Sequence, residues 1–299
     1  MKVTHKILGT LVLAGLASSA MAQGTLEKVK AAGAITVGHR DASIPFAYLD
    51  DKQQPIGFSM DLCAKIVDAV KAELKMPDLK VSYQPATSAT RLPLLANGTI
   101  DLECGSTTNN AERQKQISYT MTSFVTATRF VSKKADNLKT LADLKGKTVV
   151  STSGTTNLKL LTELNASEKL GMNILTAKDH AESFLMVDTG RAVAFVMDDI
   201  LLAGLVANSP TPDKYSISDT ALSVEPYGIM VRKDDPAYKK VVDNAMIGLM
   251  KSGEFNKIYD KWFTSPIPPR NINLNIPMSN ELKKVVANPT DSPDPAMYK

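Results

Sequence analysis

Short apolar runs alternate with longer amphipathic stretches along this chain. The runs AITVG at 34–38 and KVSYQ at 80–84 have strand character, and the stretch 59–74 repeats apolar residues such as Leu62 and Ile66 at helical spacing. This alternation is typical of parallel strands connected by crossover helices. The pattern therefore predicts an α/β fold.

The same alternation resumes after residues 124–132, with strands in KTVVST and RAVAFVMD and helices starting at SGTT and DILLAGLVA. Two such runs predict two lobes, each built on a parallel-rich sheet. The segment FVTATRFVS is itself strand-like and lacks the composition of a flexible linker. A second run, YGIMVRK at 227–233, precedes helices near 236–251 and 253–263 that we expect to return to the first lobe. Two crossings predict a two-strand hinge.

These patterns predict the domain organisation of the chain. Residues 1–22 form a signal peptide, 23–128 and 227–270 form a discontinuous lobe 1, 129–226 form lobe 2, and 271–299 form a C-terminal tail. Because the segment after Pro266 contains IPPR and NPTDSPDP, we expect it to run irregularly over the surface.

The N-terminus predicts export. Lys2 and Lys6 precede a short apolar run that closes on Ala20-Met21-Ala22, the order of a cleaved secretory signal peptide. Its removal leaves 33 basic and 31 acidic residues, a balance that argues against nucleic acid or an anionic membrane as partner. No later run approaches the roughly 20 apolar residues of a membrane span. We expect a soluble periplasmic monomer.

Two cysteines, Cys63 and Cys104, would lie in this oxidising compartment. Cys63 falls within a predicted helix among small apolar residues, and Cys104 ends a predicted strand. Two residues do not define a disulfide framework, so one bond and two buried free thiols remain equally open at this point.

The sequence contains no motif of a familiar enzyme, cofactor site or metal site. GxGxxG, Walker A, GxSxG and HExxH are all missing, and only His39 and His180 remain after residue 22. A Ser-His-Asp triad finds no local support. We therefore expect a binding protein with no cofactor and no metal.

Cationic and hydroxyl residues instead follow the ends of predicted strands, the sheet edge where α/β proteins bind ligands. The candidates in the first run are Arg40, Ser88, Arg91, Ser106, Thr108 and Arg113, and those in the second are Thr155, Thr156, His180 and Asp198. The SGTT turn has the character of an anion site at a helix N-terminus, although plain capping by Ser153 or Thr155 is the simpler interpretation. Asp198 could hold an ammonium group or cap the next helix. Cations for two carboxylates and one acid for an amine together describe an acidic amino acid.

Several longer motifs resemble the amino-acid family of periplasmic solute-binding proteins, and within it the glutamate/aspartate branch. The resemblance covers nearly the whole chain and rests on the combination IPFAYxD, LxNGTxDLECGSTTNNxERQKQ and AKDHxxSF. It implies two lobes that close on a ligand by hinge bending. It also implies membrane permease subunits of an ABC importer as partners.

The resemblance also implies a role for each candidate. Arg113 would pair with the α-carboxylate, helped by Thr108, Thr155 and Thr156. Asp198 and Ser106 would hold the α-ammonium. The distal carboxylate would fall to the remaining four: Arg40, Ser88, Arg91 and His180. Receptors for basic amino acids tend to carry an acid where Arg40 stands, which favours L-glutamate or L-aspartate as ligand here.

One departure concerns the cysteines. The glutamate/aspartate branch has its second cysteine in the YGxM segment, where this chain has Ile229, and a cysteine stands at 63 instead. A disulfide is therefore not carried over from the family.

Two rival functions remain. One is a periplasmic enzyme on the same scaffold, such as a dehydratase, for which no free base can be nominated. The other is a sensory module, a class that is usually fused to a membrane span.

Overall fold

A computed structural model describes residues 24–299. The predicted signal peptide, residues 1–22, lies outside the described residues. In chain order the strands are β1 Ala34–His39, β2 Ala42–Ser43, β3 Ala47–Leu49, β4 Pro55–Ile56, β5 Lys80–Pro85, β6 Leu102–Cys104, β7 Ile117–Tyr119, β8 Phe124–Thr126, β9 Thr128–Lys133, β10 Thr148–Thr152, β11 Asn173–Ala177, β12 Ala194–Asp198, β13 Tyr215–Ile217, β14 Glu225–Tyr227, β15 Met230–Arg232, β16 Pro266–Ile267 and β17 Ile272–Asn273.

Most α-helices connect strands of the sheets. In chain order the helices are α1 Thr25–Ala32, α2 Phe58–Leu74, α3 Arg91–Ala96, α4 Thr156–Ser167, α5 His180–Asp188, α6 Asp199–Asn208, α7 Pro236–Ser252, α8 Glu254–Phe263 and α9 Asn280–Ala287. The longest two are α2 and α7 with 17 residues each. Within residues 24–299 no helix is long and apolar enough to cross a membrane.

Two five-stranded sheets form the framework. The first has the order β5-β1-β6-β15-β7, with β1 parallel to β5 and β6, and the second has the order β11-β10-β12-β9-β13, with β10 parallel to β11 and β12. In each sheet the parallel strands end at one edge, where ligands bind in folds of this kind. Each sheet is mixed, because β15 and β9 pair antiparallel with their neighbours. Two mixed sheets with crossover helices confirm the predicted α/β fold class.

The chain passes between the two sheets along a paired ribbon. Strand β8 leads from the first sheet towards the second, β14 leads back, and the two pair antiparallel, from Phe124 opposite Tyr227 to Thr126 opposite Glu225. The two crossings predicted from sequence are therefore present, and they are bonded to each other.

The first sheet is covered by the helices that return to it. α7 and α8 pack on α2, and the aromatic rings of Phe46, Phe58, Phe124, Tyr259 and Phe263 form a contiguous buried cluster beside the ribbon. A disulfide joins Cys63 of α2 to Cys104 of β6, with their Cα atoms 6.2 Å apart. The question left open by the sequence is thus answered by a bond that ties α2 to the centre of this sheet.

The prediction of an irregular tail after Pro266 was wrong in part, because residues 274–279 and 288–294 are irregular whereas the rest of the segment forms regular elements. The segment forms the β16–β17 pair and then α9, whose Leu282 and Val285 are buried. Near the C-terminus, the Tyr298 hydroxyl lies 2.8 Å from Oγ1 of Thr122, next to the ribbon. Apolar residues spaced along a short helix outweigh the turn-forming character of the proline segments on either side.

Candidate functional site

The carboxyl ends of the parallel strands from the two sheets face a common cleft. From the first sheet, Arg40 follows β1 and Ser106 to Thr108 follow β6, and from the second, Thr155 follows β10 while Asp198 ends β12. The ten predicted site residues all lie along this cleft, and nine of them are buried outright, with Thr156 partly buried. The parallel topology thus brings together residues that are far apart in sequence.

Arg40 is buried under the first-sheet side of the cleft. One terminal nitrogen, Nη2, donates a 2.7 Å hydrogen bond to Oγ of Ser88, whereas Nη1 has no hydrogen-bond partner among residues 24–299. Burial lowers the pKa of Arg40, and the negative charge of Glu103 opposes that effect. A buried cation with an unused donor is costly unless an anion joins it.

Arg91 lies beside Arg40 in the same layer. Its Nη1 donates to the hydroxyl of Thr107 at 2.7 Å and to the carbonyl oxygen of Ser106 at 3.2 Å. Burial, followed by the charges of Arg113 and Arg40, lowers the pKa of Arg91 to about 9. The guanidinium is still protonated at neutral pH, so the site keeps its positive charge.

Arg113 joins the two sides of the cleft. Its Nη1 donates to the carbonyl oxygen of Thr108 at 2.9 Å, and its Nη2 reaches across to the carbonyl oxygen of Gly154 at 3.3 Å. Thr108 also meets Thr156 across the cleft, with their hydroxyl oxygens 3.4 Å apart. The cleft is therefore closed, with the arginine in contact with both walls.

The SGTT turn is a helix N-terminus that points into the cleft. The side chain of Thr155 accepts a 3.1 Å hydrogen bond from the amide of Leu158, so the capping interpretation of this residue is correct. Thr156 donates from its hydroxyl to Oε2 of Glu225 at 3.0 Å. Capping uses the Thr155 hydroxyl, while the first amides of α4 stay available for an anion.

Asp198 is the acid of the second-sheet wall. Its Oδ1 accepts from Nδ2 of Asn157 at 2.7 Å, its Oδ2 accepts from the hydroxyl of Tyr227, and its side chain makes no capping bond to α6. Burial, reinforced by the charge of Glu225, raises the pKa of Asp198 to about 7. A carboxylate held this way is stabilised by any cation that enters the cleft.

His180 begins α5 and is also buried in the cleft. Its Nδ1 lies 2.9 Å from the hydroxyl of Thr152. Burial, followed by the charges of Arg40 and Arg91, lowers the pKa of His180 well below its usual range. The imidazole is therefore neutral at physiological pH and offers a hydrogen bond instead of a charge.

A small cavity lies between the two walls, with about 10 Å³ open to the centre of a water molecule. Eight of the predicted residues line it, and Arg40 and Arg113 lie outside its lining; the eight are Ser88, Arg91, Ser106, Thr108, Thr155, Thr156, His180 and Asp198. Asn157, Met197 and Leu201 also line it and were missed by the sequence reasoning. Of these three residues, only Asn157 could have been found from the sequence, because it is a polar residue in the first turn of a predicted helix.

The arrangement separates charge across the cavity. Three arginines stand on the side of the first sheet, and Asp198 stands on the side of the second. Such a site favours a small zwitterion that carries more than one negative group. In the part of the chain from 24 to 299, no group of His, Cys, Asp and Glu side chains is placed to hold a metal ion.

Residues 35–265 match the model of the bacterial extracellular solute-binding proteins, family 3. The L-glutamate/L-aspartate-binding protein of Pseudomonas aeruginosa is 55% identical over 296 residues, which is 97% of this chain and 98% of that protein. The glutamate/aspartate import solute-binding protein of Escherichia coli K12 is 49% identical over 294 residues, 97% of each chain.

Solved structures agree on the fold. A mutant of an arginine-binding protein from T. maritima superimposes with a TM-score of 0.71 at 27% identity, covering 80% of this chain and 98% of that one.

Proposed function

Because the chain belongs to the bacterial extracellular solute-binding proteins of family 3, we propose that it captures L-glutamate and L-aspartate and delivers them to an ABC importer. Membership confirms the family resemblance found in the sequence. The full-length relatives are binding proteins, so the expectation that this chain is not an enzyme is also confirmed.

The observation that carries the choice of ligand is the charge of the cleft. Arg40, Arg91 and Arg113 are at most 9% exposed and flank one small cavity, opposite the single acid Asp198. The buried carboxylate Glu103 offsets part of the charge of Arg40 and Arg91. Three buried guanidinium groups still outnumber the anions beside them, which is unfavourable. A ligand with two carboxylates and one ammonium group supplies both the missing anions and the missing cation.

Within this proposal each side chain has a role. Arg113, Thr108 and the helix start at Thr155 and Thr156 hold the α-carboxylate, which is consistent with the amides of α4 facing the cleft. Asp198 holds the α-ammonium together with Ser106, whose hydroxyl has no other partner among the described residues.

The distal carboxylate falls to Arg40, Ser88, Arg91 and His180. Support comes from two buried donors without partners in the range 24–299, Nη1 of Arg40 and Nε of Arg91. His180 contributes as a neutral hydrogen-bonding group.

The proposal also covers the export of the protein, its division into lobes and the motion of those lobes. Residues 1–22 direct export to the periplasm and are cleaved, and the mature protein is a monomer. Lobe 1 comprises 23–128 and 227–270, lobe 2 comprises 129–226, and 271–299 form a C-terminal tail whose helix α9 packs against α7 of lobe 1. The lobes close by bending about the β8–β14 ribbon, and the closed form meets the permease subunits of the importer.

Calorimetric titration of refolded, ligand-free protein with each of the twenty amino acids tests the proposal. We expect strong binding of glutamate and aspartate alone. Stronger binding of lysine, histidine or an apolar amino acid would contradict it. Refolding from denaturant is needed because a ligand carried over from the expression host would mask the result.

A further inference from the structure

A fourth charged group lies behind the arginines and takes no part in the roles above. Glu103 is in the middle of β6 and is completely buried. Its Oε2 accepts a 2.8 Å hydrogen bond from the hydroxyl of Thr107, and Oε1 has no hydrogen-bond partner among residues 24–299. A buried carboxylate with one free oxygen requires an explanation.

The hydrogen bonds around Thr107 have a fixed direction. A guanidinium can only donate, so the Thr107 oxygen accepts from Nη1 of Arg91 at 2.7 Å. The single hydroxyl proton of Thr107 therefore points at Glu103. The chain Arg91 to Thr107 to Glu103 links a cation of the cleft to a carboxylate on the side away from the ligand.

Glu103 also acts on Arg40. An added Cβ at Gly105 would lie 2.3 Å from Oε1 of Glu103 and 2.9 Å from Cγ of Arg40, so both side chains pack over the same backbone position. The negative charge of Glu103 raises the pKa of Arg40 and of Arg91, against the effect of burial. One carboxylate thus offsets two arginines.

We propose that Glu103 is the internal counterion of the cationic pocket: it stabilises the ligand-free protein and weakens the binding of acidic ligands. The inference rests on the proposed function. In the absence of ligand, Glu103 supplies negative charge to Arg40 and Arg91. When a ligand carboxylate binds to Arg40 and Arg91, the negative charge of Glu103 on the far side of these two arginines repels it. The residue is a positioning and affinity-setting group, because it does not line the cavity.

Glu103→Gln tests this with little change of shape, because the amide oxygen can still accept from Thr107. Like charges several ångströms apart in a partly buried site interact by an amount worth on the order of tenfold in affinity. We expect glutamate to bind roughly three- to tenfold more tightly to the variant, and glutamine to change by less than about threefold. The melting temperature of the ligand-free variant should fall by roughly 3 to 6 °C.

The opposite signs of these two effects are what a purely structural role would not produce. If E103Q weakens glutamate and glutamine by the same factor, or leaves glutamate binding unchanged, the inference is overturned. Glu103→Asp keeps the charge and changes the shape. It should retain the stability of the wild type, and its glutamate affinity should stay within about threefold of wild type. Loss of both in E103D would equally overturn the inference.

Asp101→Asn is the matched control. Asp101 is a buried carboxylate just before the same strand, and it accepts from Nζ of Lys28 at 2.7 Å and from the amide of Thr36 at 2.8 Å, near the other end of β1. D101N should lose stability without any change in the ratio of glutamate to glutamine affinity. Titrating wild-type protein in parallel separates the two hypotheses. Wild type that does not prefer glutamate refutes the proposed function, whereas wild type that does, with no gain in E103Q, refutes the counterion.

Discussion

Arg113 donates a hydrogen bond from Nη2 to the carbonyl oxygen of Gly154, 3.3 Å away, and this bond crosses the cleft. Arg113 follows the first sheet's β6, whereas Gly154 belongs to the turn after β10 of the second. The same glycine has a φ of +77° and lies so close to the opposite wall that a Cβ would be 2.6 Å from Cα of Ala89. Closure therefore depends on the missing side chain at position 154.

Gly154→Ala should lower ligand affinity at least tenfold, because the added methyl group keeps the walls apart and prevents the ligand from meeting both. Gly146→Ala is the matched control: its φ is +70°, and nothing lies within 4 Å of the added Cβ. Both variants should lose about 1 kcal/mol of stability from the left-handed backbone. Calorimetry with glutamate distinguishes them, and equal affinity in the two variants would exclude a role of Gly154 in closure.

The pH dependence of binding should follow Asp198. Its pKa is raised to about 7 by burial and by Glu225, so below pH 7 it is increasingly protonated and cannot pair with an ammonium group. Affinity for glutamate should therefore fall by up to about tenfold per pH unit below 7 and level off above about pH 8. His180 adds no opposite trend, because burial keeps that histidine neutral.

Proton release provides a second measure of the same group. Binding an ammonium lowers the pKa of Asp198, so about half a proton should be released per ligand at pH 7. Calorimetry in buffers of different ionisation enthalpy measures this number. Asp198→Asn should bind weakly and release none; a variant that still released the proton would assign the titration to another group.

Stability without ligand should depend on pH with the sign set by the same shift. The folded protein holds the Asp198 proton up to about pH 7, whereas the unfolded chain loses it near its usual pKa of about 4. The contribution of this group to stability is therefore greatest below pH 4 and is lost as the pH rises towards 7. Urea denaturation of the wild-type protein and of Asp198→Asn between pH 4 and pH 8 gives the difference in stability, which should decrease as the pH rises. A difference that stays constant with pH would show that Asp198 does not titrate in this range.

Arg40 and Arg113 should separate two ligands. Arg40→Ala should weaken glutamate by roughly 30-fold or more and glutamine by much less, because opposite charges about 4 Å apart at an effective dielectric near 20 attract by about 4 kcal/mol. Arg113→Ala should weaken both ligands alike, since both carry an α-carboxylate. Titration of each variant with glutamate and glutamine gives the four affinities. Equal losses for the two ligands in R40A would leave Arg91 and His180 to recognise the side chain.

Removing the disulfide should lower stability without changing ligand preference. Cys63 and Cys104 are 41 residues apart in sequence, and closing such a loop stabilises a protein by about 3 to 4 kcal/mol in the chain-entropy model. The double variant Cys63→Ala and Cys104→Ala should lose about that much in urea denaturation. A shift in the ratio of glutamate to aspartate affinity would show instead that the bond shapes the pocket.

Much of the fold could be predicted because the spacing of apolar residues identifies the strands and helices. The alternation of strands and helices gave the two sheets, and the donor-rich turns after β1, β6 and β10 gave the cleft. The pairing of Cys63 with Cys104 could not be predicted, since two cysteines distant in sequence contain no information on the angle between α2 and β6. The tail was misjudged because prolines dominate its local pattern, whereas the burial of Leu282 and Val285 depends on the packing of α9 against α7.

The surroundings of the site residues could not be predicted from the sequence either. Glu103 interrupts an apolar strand, and such a charge is usually assigned to the solvent-facing side of a sheet. Asn157 directly follows the SGTT turn and was not among the residues singled out from the sequence. Its contact with Asp198 depends on how α4 leans over β12, which no local pattern shows. The lowered pKa of His180 depends on its burial and on two arginines from the opposite wall, neither of which a local pattern shows.

The division of charge between the two walls affects the encounter with the ligand as well as the bound state. While the walls are apart, the arginine side and the Asp198 side form a dipole across the opening. With the acidic ligand proposed above, we expect a molecule that diffuses into this field to turn before it touches either wall, with its carboxylates towards Arg40, Arg91 and Arg113. The orientation of the captured molecule is thus selected during approach, and screening by salt acts on the rate of capture.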